Sequence, residues 1–446
     1  MDKNSTVGYG KILSLFDAGT FVEIGAYVAR SDADMENYDG VICGYGSVDG
    51  KLTYAFAQDM DRMKGAFGAA GAKKIGMLYR MAIRNGAPVI GIFESAGTVI
   101  YDGSAALAAY GAWLKCVSDA SGVIPQIALV SGACGGTAAV VASMFDFIIA
   151  VQDQAQLYVT TPFVLGKESA TAETAASDGL AAIVCDSEAA ALAKARELAA
   201  ALPQNNCDHA DAPIDDVTRR LTDGVVSSTA IADFGKTIPL YTAYGEEAAC
   251  ALGYLGGDLV AFVSVTGLLS VNGARKIAKT VNFCDSFNIP VITLVDSEGI
   301  TATAEEEHAP AAAAFARLAS AYATAATPRV TVITGKAYGA AFTLLGSRSL
   351  GADLVLALPG TTVSALAPDK AVAFVWNDKI TNEKSREEVE AEWIEQYAAI
   401  EKAAANGDID DVIPADELRM RLCSAIYMLA NSAEGKPARR HPVMPL

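Results

Sequence analysis

The chain carries the same segment twice, and this repetition limits its possible folds more than any other feature. "GAKKIGMLYRMAIRNGAPVIGIFESAG" (71–97) and "GARKIAKTVNFCDSFNIPVITLVDSEG" (273–299) align without a gap at an offset of 202, with nine of 27 positions identical. Pro88 matches Pro290, Ser95 matches Ser297, and Glu94 meets Asp296 as a conservative exchange. Further on, "IPQIALVSGACGGTAAV" (124–140) meets "TPRVTVITGKAYGAAFT" (327–343) at an offset of 203. That match pairs Gly132 with Gly335, Gly136 with Gly339 and Ala138 with Ala341. Two collinear matches in one order indicate a duplicated chain, since chance similarity does not preserve order. The halves fall near 1–205 and 225–446, and the polar, turn-rich "LPQNNCDHADAPIDD" leads into a linker over 206–224.

Each half reads as helices alternating with short apolar strands. Lys73 to Asn85 predicts a helix ending near Gly86, followed by the strand "PVIGIF"; the counterparts are Arg275 to Phe287 and "PVITLV". A second helix precedes "QIALV" and "RVTVI", and each of these strands runs into a small-residue turn and another helix. "FDFIIAV" and "ADLVLAL" supply a further matching strand. Short continuous apolar strands between helices indicate an α/β fold with sheets covered on both faces.

Composition narrows the function. The 446 residues are 52% hydrophobic, enough for large buried cores. No run reaches the ~18 apolar residues of a membrane span, and the N-terminus lacks an apolar signal core, so a soluble cytoplasmic protein is expected. A net charge of −18 argues against nucleic acid, whose phosphates call for clustered Lys and Arg, but leaves room for a local basic pocket. The eight cysteines contain no CxxC pair, so buried free thiols and no metal site are expected. Only His209, His308 and His441 are available for chemistry built on a histidine base.

The two small-residue turns are the features that suggest chemistry. A strand, a tight turn and a helix leave backbone N–H groups without intrahelical partners. Such groups suit an oxygen that gains negative charge, and one aimed donor is worth roughly 3 kcal/mol in a transition state. Glycine and alanine also permit close helix–sheet packing, which is the plainer account of one turn alone. Two turns at matching places favour a pair of oxyanion sites.

At this point the chain resembles the carboxyltransferase subunits of biotin-dependent acyl-CoA carboxylases, the acetyl- and propionyl-CoA carboxylase beta type, and the related acyl-CoA decarboxylases of the crotonase superfamily. The resemblance rests on "DGVICGYGSVDGKLTYAFAQD" (39–59), "GYLGGDLVAFV" (253–263), "FCDSFNIPVITLVDSEG" (283–299), "KAYGAAFTLLGSRSLGADLVLALP" (336–359), "GDIDDVIPADELRMRL" (407–422) and the terminal "RRHPVMPL". It implies two tandem ClpP/crotonase-type spiral domains, with the acyl-CoA in the first half and biotin in the second. It also implies a homo-oligomer, dimer to hexamer, with an active site where one subunit's first half faces another's second half. By this resemblance Gly136 and Thr137, with Gly135 adjacent, hold the thioester oxygen, and Ala96, Gly97 and Lys73 serve the acyl-CoA. Ala340 and Ala341, with Gly339 adjacent, hold the ureido oxygen of biotin, and Glu298 and Gly299 line that pocket.

The implied chemistry agrees with the turns. Moving a carboxylate from biotin to the α-carbon of an acyl-CoA places charge on an enolate oxygen and on a ureido oxygen, and each needs donors. The biotin anion can itself take the α-proton, so no side-chain base is required. The chain has no "AMKM"-like biotin-accepting motif. Biotin is therefore expected on a separate carrier protein, with a biotin carboxylase or a decarboxylase membrane subunit as the further partner.

The sequence also departs from the family. Where relatives usually carry "SGGAR", this chain has "SAGTV" (95–99); Pro-Gly-Phe after the second strand is replaced by "SEGIT" (297–301); and the paired glycines become Gly136-Thr137 and Gly339-Ala340. A threonine there is expected to crowd the acyl group. A biotin-independent enoyl-CoA hydratase or isomerase is an alternative and would need paired carboxylates, for which Glu94 and Asp102 are the nearby candidates. A non-catalytic assembly subunit of the same fold is the third reading. Lys73, Lys74, Arg275 and Lys276 are expected to be solvated helix residues, with the first pair able to meet CoA phosphates. Glu298 is expected on a solvated loop, Tyr338 in core packing, His308 in a charged helix start, and Cys207 and His209 in the linker.

Overall fold

The structure, a computed structural model, describes residues 6–28, 39–210, 212–222, 224–308, 311–430 and 443. It divides into two compact units, one up to residue 210 and one from 211 onward. The terminal "RRHPVMPL" lies outside the described residues, except Val443.

The first unit contains α1 (Val7–Leu15), β1 (Val22–Ile24), β2 (Val41–Val48), β3 (Lys51–Gln58), α2 (Ala69–Asn85), β4 (Val89–Phe93), α3 (Ser104–Ala120), β5 (Gln126–Val130), β6 (Ala133–Gly135) and α4 (Thr137–Ser143). It continues with β7 (Phe147–Val151), β8 (Gln156–Tyr158), α5 (Pro162–Leu165), α6 (Ala172–Ser177), β9 (Ile183–Cys185) and α7 (Glu188–Ala201). Its main sheet has the order β1-β2-β3-β4-β5-β7-β9. The first three strands are antiparallel and the rest run parallel. Every residue of β4, β5 and β7 is buried, as expected of parallel strands covered on both faces.

The second unit contains α8 (Ser228–Ile231), β10 (Thr237–Leu240), β11 (Ala248–Leu255), β12 (Asp258–Leu269), α9 (Val271–Ser286), β13 (Val291–Ile300), α10 (Ala304–His308), α11 (Ala311–Thr324), β14 (Arg329–Tyr338) and α12 (Ala340–Leu344). Then come β15 (Leu354–Ala357), β16 (Thr362–Ser364), α13 (Pro368–Val375), α14 (Arg386–Trp393), α15 (Ile400–Ala405), β17 (Asp411–Val412) and α16 (Leu418–Leu429). The sheet order β10-β11-β12-β13-β14-β15-β17 follows the same plan, antiparallel and then parallel. β14 is one continuous strand where the first unit has β5 and β6, and its end pairs with β16 as β6 pairs with β8.

Several of the matched residues have the same local task in both units. The Pro88 carbonyl accepts the Tyr54 amide at 2.9 Å and the Pro290 carbonyl accepts the Ala261 amide at 2.8 Å. Each proline sits just before a strand, where its missing N–H costs the ladder nothing. α2 ends at Gly86 with φ 60, and the chain after α9 turns at Asn288 with φ 51. Glycine and asparagine are the residues that best tolerate this left-handed conformation.

Two expected surface lysines are instead buried. Lys74 is 1% exposed, paired with Asp39 and donating to the Val41 carbonyl at 2.7 Å. Lys276, at the same place on α9, is 3% exposed and donates to the Tyr241 and Tyr244 carbonyls at 2.9 and 2.6 Å. Burial pushes Lys276 below the ordinary lysine pKa and pushes Asp39 above the usual carboxylate range, against the pull of Lys74. Both lysines tie the matched helix, α2 or α9, to the chain that precedes it. Lys73 is exposed and Arg275 half-buried.

A second shared device closes each unit. Arg196 on α7 donates to the Leu15 carbonyl and to Asp17, both at 2.7 Å. Asp17 accepts the Asp49 and Gly50 amides at the β2–β3 turn. Arg419 on α16, fully buried, donates to the Ile231 carbonyl at 3.0 Å and to Asp233 at 2.5 Å. Asp233 accepts the Gly256 and Gly257 amides at the β11–β12 turn. In both units an arginine from the last long helix and an aspartate near the start meet over the same hairpin turn.

Candidate active site

The aromatic core of the first unit supports the ends of its parallel strands. Phe93, the last residue of β4, stacks on Trp113 at 5.5 Å, and Trp113 in turn packs on Phe67 at 4.4 Å. Past Phe93 the chain continues through Glu94, Ser95, Ala96 and Gly97. Ser95 donates its amide to the Ala133 carbonyl at 2.9 Å, which binds this loop to the start of β6. Ala96 donates its amide to the Lys64 carbonyl at 2.9 Å. Gly97, at φ 119, donates to Ser95 Oγ at 3.0 Å.

Gly135 closes β6 and Gly136 caps α4 with φ 61, ψ −130. That left-handed value explains a glycine at 136. The Gly136 amide donates to the Tyr158 carbonyl at 2.8 Å, so this N–H is engaged. Thr137 follows at the first helical position, where helix geometry provides no acceptor for the amide. Its φ is not among the positive ones, so a residue with a Cβ fits at this position.

The second unit repeats this arrangement. Gly339 caps α12 with φ 56, ψ −136, its amide donates to the Ser364 carbonyl at 2.9 Å, and Ala340 opens the helix, followed by the buried Ala341. Gly299 has φ 138 and donates to Ser297 Oγ at 3.4 Å. Ser297 Oγ donates to the Gly267 carbonyl at 2.8 Å, bracing the loop against β12. Glu298 is exposed at the end of β13 and pairs with Lys336 at 2.7 Å.

The acids before these loops are structural. Glu94 pairs with the buried Lys11 at 2.5 Å, and Lys11 also meets Glu188 at 2.6 Å and Ser131 Oγ at 3.1 Å. Burial lowers the Lys11 pKa, but Glu188 and Glu94 together outweigh it and hold the ammonium above its ordinary value. Asp102 accepts the Ala69 amide at 2.9 Å at the start of α2. The two carboxylates that a hydratase would use are thus committed to an ion pair and a helix start. Cys134, inside the first turn, is fully buried, and burial pushes its thiol up to about 12, so it packs as an apolar residue.

The structure therefore joins Ala96 and Gly97 to the turn of Gly135, Gly136 and Thr137, and in the other unit sets Gly299 and Glu298 beside the strand leading to Gly339 and Ala340. Lys73 stands elsewhere, on the outer face of α2 beside a cleft of 670 Å³ that also takes in Met77, Arg80 and Lys115. Tyr338 is buried with its hydroxyl 2.8 Å from Thr362 Oγ1. Cys207 and His209 are both exposed, and His308 closes α10 with its side chain outside the described residues. Lys11, Lys64, Tyr158 and Ser364 shape the site without any local sequence signal. Each acts on a residue distant along the chain, three of them through a backbone carbonyl.

Residues 2–444 match the carboxyl transferase domain family. The methylmalonyl-CoA decarboxylase subunit alpha of Propionigenium modestum is 32% identical, over 98% of this chain and 92% of that one. The mitochondrial propionyl-CoA carboxylase beta chain of Sus scrofa is also 32% identical, over 98% and 87%. The crystal structure of transcarboxylase 12S, a hexamer with hydrolysed methylmalonyl-coenzyme A bound, superposes with a TM-score of 0.93 at 28% identity, covering 98% of this chain and 92% of that one. Strand-end loops, paired small-residue turns and full-length similarity lead to one conclusion: the chain belongs to the carboxyl transferase domain family and is a carboxyltransferase acting between biotin and an acyl-CoA.

Proposed function

We propose that the two halves of a duplicated chain divide the reaction, residues 1–205 serving the acyl-CoA and 225–446 serving biotin, with 206–224 as the linker. The observation that carries this reading is the match between Gly136 and Gly339. Both take the same left-handed backbone, both have their own amide engaged, and both deliver the next residue's amide at a helix start. In the first half the Thr137 amide is the donor to the thioester oxygen, which becomes the enolate oxygen, and Ala96 and Gly97 border it. In the second half the Ala340 amide is the donor to the ureido oxygen, with Ala341 behind it and Glu298 and Gly299 beside it. These donors fit biotin, a neutral ring whose urea oxygen accepts hydrogen bonds and which carries the transferred carboxyl group when bound. Two amides, fixed before substrate arrives, lower the cost of charge on two oxygens without reorganisation.

Biotin arrives on a carrier protein, and a biotin carboxylase or a decarboxylase membrane subunit completes the system. The chain works as a cytoplasmic homo-oligomer, dimer to hexamer; among the described residues no helix is long and apolar enough to cross a membrane. The relatives favour propionyl-CoA and methylmalonyl-CoA as the substrate pair. The hydratase alternative is not favoured, because Glu94 and Asp102 have other duties.

The test is decarboxylation of methylmalonyl-CoA, or of malonyl-CoA, by the purified oligomer with and without free biotin as a carrier mimic. Biotin-dependent loss of the carboxyl group is expected. Hydration of crotonyl-CoA without biotin would overturn the reading in favour of a hydratase. CoA binding without turnover of either substrate would favour an assembly subunit.

A further inference from the structure

The two units differ at one place beside their matched sites. In the first unit Gly71 on α2 lies 17 positions after Tyr54, which pairs with Val89. In the second, Gly273 on α9 lies 12 positions after Ala261, which pairs with Val291. The five additional residues fall between β3 and α2. They build a turn in which three successive residues, Met63, Lys64 and Gly65, have φ of 48, 56 and 65. Glycine takes this conformation freely, whereas methionine and lysine are strained in it. Gly65 is required, since a Cβ there would run into the Glu94 carbonyl. Nothing in the backbone requires a side chain at 64.

The turn belongs to the site by its hydrogen bonds. The Lys64 carbonyl takes the Ala96 amide, and the neighbouring Ser95 amide reaches Ala133, at the start of the strand that ends at Gly135. Lys64 is exposed, and among the described residues its ammonium has no ion pair or hydrogen bond. The nearby acids are engaged elsewhere. Asp59 accepts the Gly8 and Asp61 amides and pairs with Arg62, and Asp61 accepts the Val7 amide. In a chain of net charge −18, an ammonium with no partner among the described residues, on a strained turn at the edge of the loop that borders the candidate thioester site, is a binding group in search of an anion.

We infer that Lys64 is a substrate-binding residue that receives a phosphate of the CoA portion of the acyl-CoA, a feature of the first half alone. The inference rests on the proposed assignment of the acyl-CoA to that half. CoA carries several phosphate charges wherever it binds, whereas biotin brings only the one carboxylate that it transfers, so the half that takes CoA has the greater use for an added cation. Strain at 64 persists because the lysine binds; glycine would relax the turn but would lose the charge.

The experiment is calorimetric titration of the wild-type oligomer and of K64M, K64R and K64G with CoA, alongside thermal unfolding and steady-state kinetics with an acyl-CoA and the corresponding acyl-pantetheine, which lacks the phosphates. K64M and K64G are expected to weaken CoA binding about tenfold and to raise KM for the acyl-CoA by a similar factor with kcat retained. K64R should stay near wild type, and the acyl-pantetheine should not distinguish the variants. K64G should also unfold at a higher temperature than wild type while binding CoA less well, a combination that a merely structural lysine would not give. Unchanged CoA affinity in K64M and K64G would overturn the role of Lys64 and leave the acyl-CoA assignment standing. A wild-type oligomer that does not bind CoA would overturn both.

Discussion

Glu94 lies against Gly132: a Cβ on the glycine would stand 2.5 Å from the glutamate's Cγ. In the second unit Asp296 lies against Gly335 in the same way. In each unit the acid fills the space that a side chain at the neighbouring glycine would need. Alanine at either glycine must displace the acid or the turn. G132A and G335A are each expected to destabilise the protein by about 1–3 kcal/mol and to reduce turnover, because the displaced turn carries Gly136 or Gly339. Urea unfolding checks the first effect, and midpoints equal to wild type would discard this account of the paired glycines.

The donors proposed for the two oxygens can be deleted one at a time. Proline is accommodated at the first position of a helix, where its missing N–H had no intrahelical partner. T137P and A340P should therefore fold while removing the amide. Each is expected to slow biotin-dependent decarboxylation about 10²–10³-fold, with circular dichroism and oligomer size unchanged. Rates near wild type in folded T137P would show that the thioester oxygen is held elsewhere.

Lys11 gives a pH signature. Its folded pKa lies above the ordinary 10.5, so its contribution is fully present below that value and is lost as pH rises through the higher folded one. K11M should be less stable than wild type by about 2 kcal/mol at pH 7. The gap should close in strongly alkaline solution as wild type loses the ammonium. Parallel urea titrations at the two pH values measure it, and a gap independent of pH would mean that Lys11 contributes packing alone.

Asp102 separates a helix start from a catalytic acid. D102A should cost about 1 kcal/mol, the usual loss when an N-terminal amide loses its acceptor. It should leave biotin-dependent turnover close to wild type once corrected for folded fraction. A large loss of kcat in folded D102A would return this carboxylate to the chemistry.

Much of the frame was legible in the sequence because the two matched segments keep their spacing where backbone geometry is strict. Pro88 and Pro290, Gly132 and Gly335, and Gly136 and Gly339 keep their register, and each answers a backbone or steric demand. What stayed hidden depends on partners distant in the chain. Helical periodicity cannot tell a solvated lysine from Lys74 or Lys276, whose acceptors lie some thirty residues upstream. A glycine-rich turn does not reveal that the Gly136 amide is taken by Tyr158, which shifts the candidate donor to Thr137. Arg196 and Arg419 are hidden for another reason. Their partners recur at offsets different from their own, so a gap-free comparison of the halves never sets the two arrangements side by side.

Those arginines also impose an order on biosynthesis. Arg196 reaches back 181 residues to Leu15, and Arg419 reaches back 186 residues to Asp233. Neither unit can be completed until nearly all of its own sequence has left the ribosome, and the first can close while the second is still being translated. A message that stops short of codon 419 would release a chain whose first unit is whole. Its second unit would bury Asp233 without a counter-charge, and a cell's quality control would meet a half-finished enzyme rather than an unfolded one.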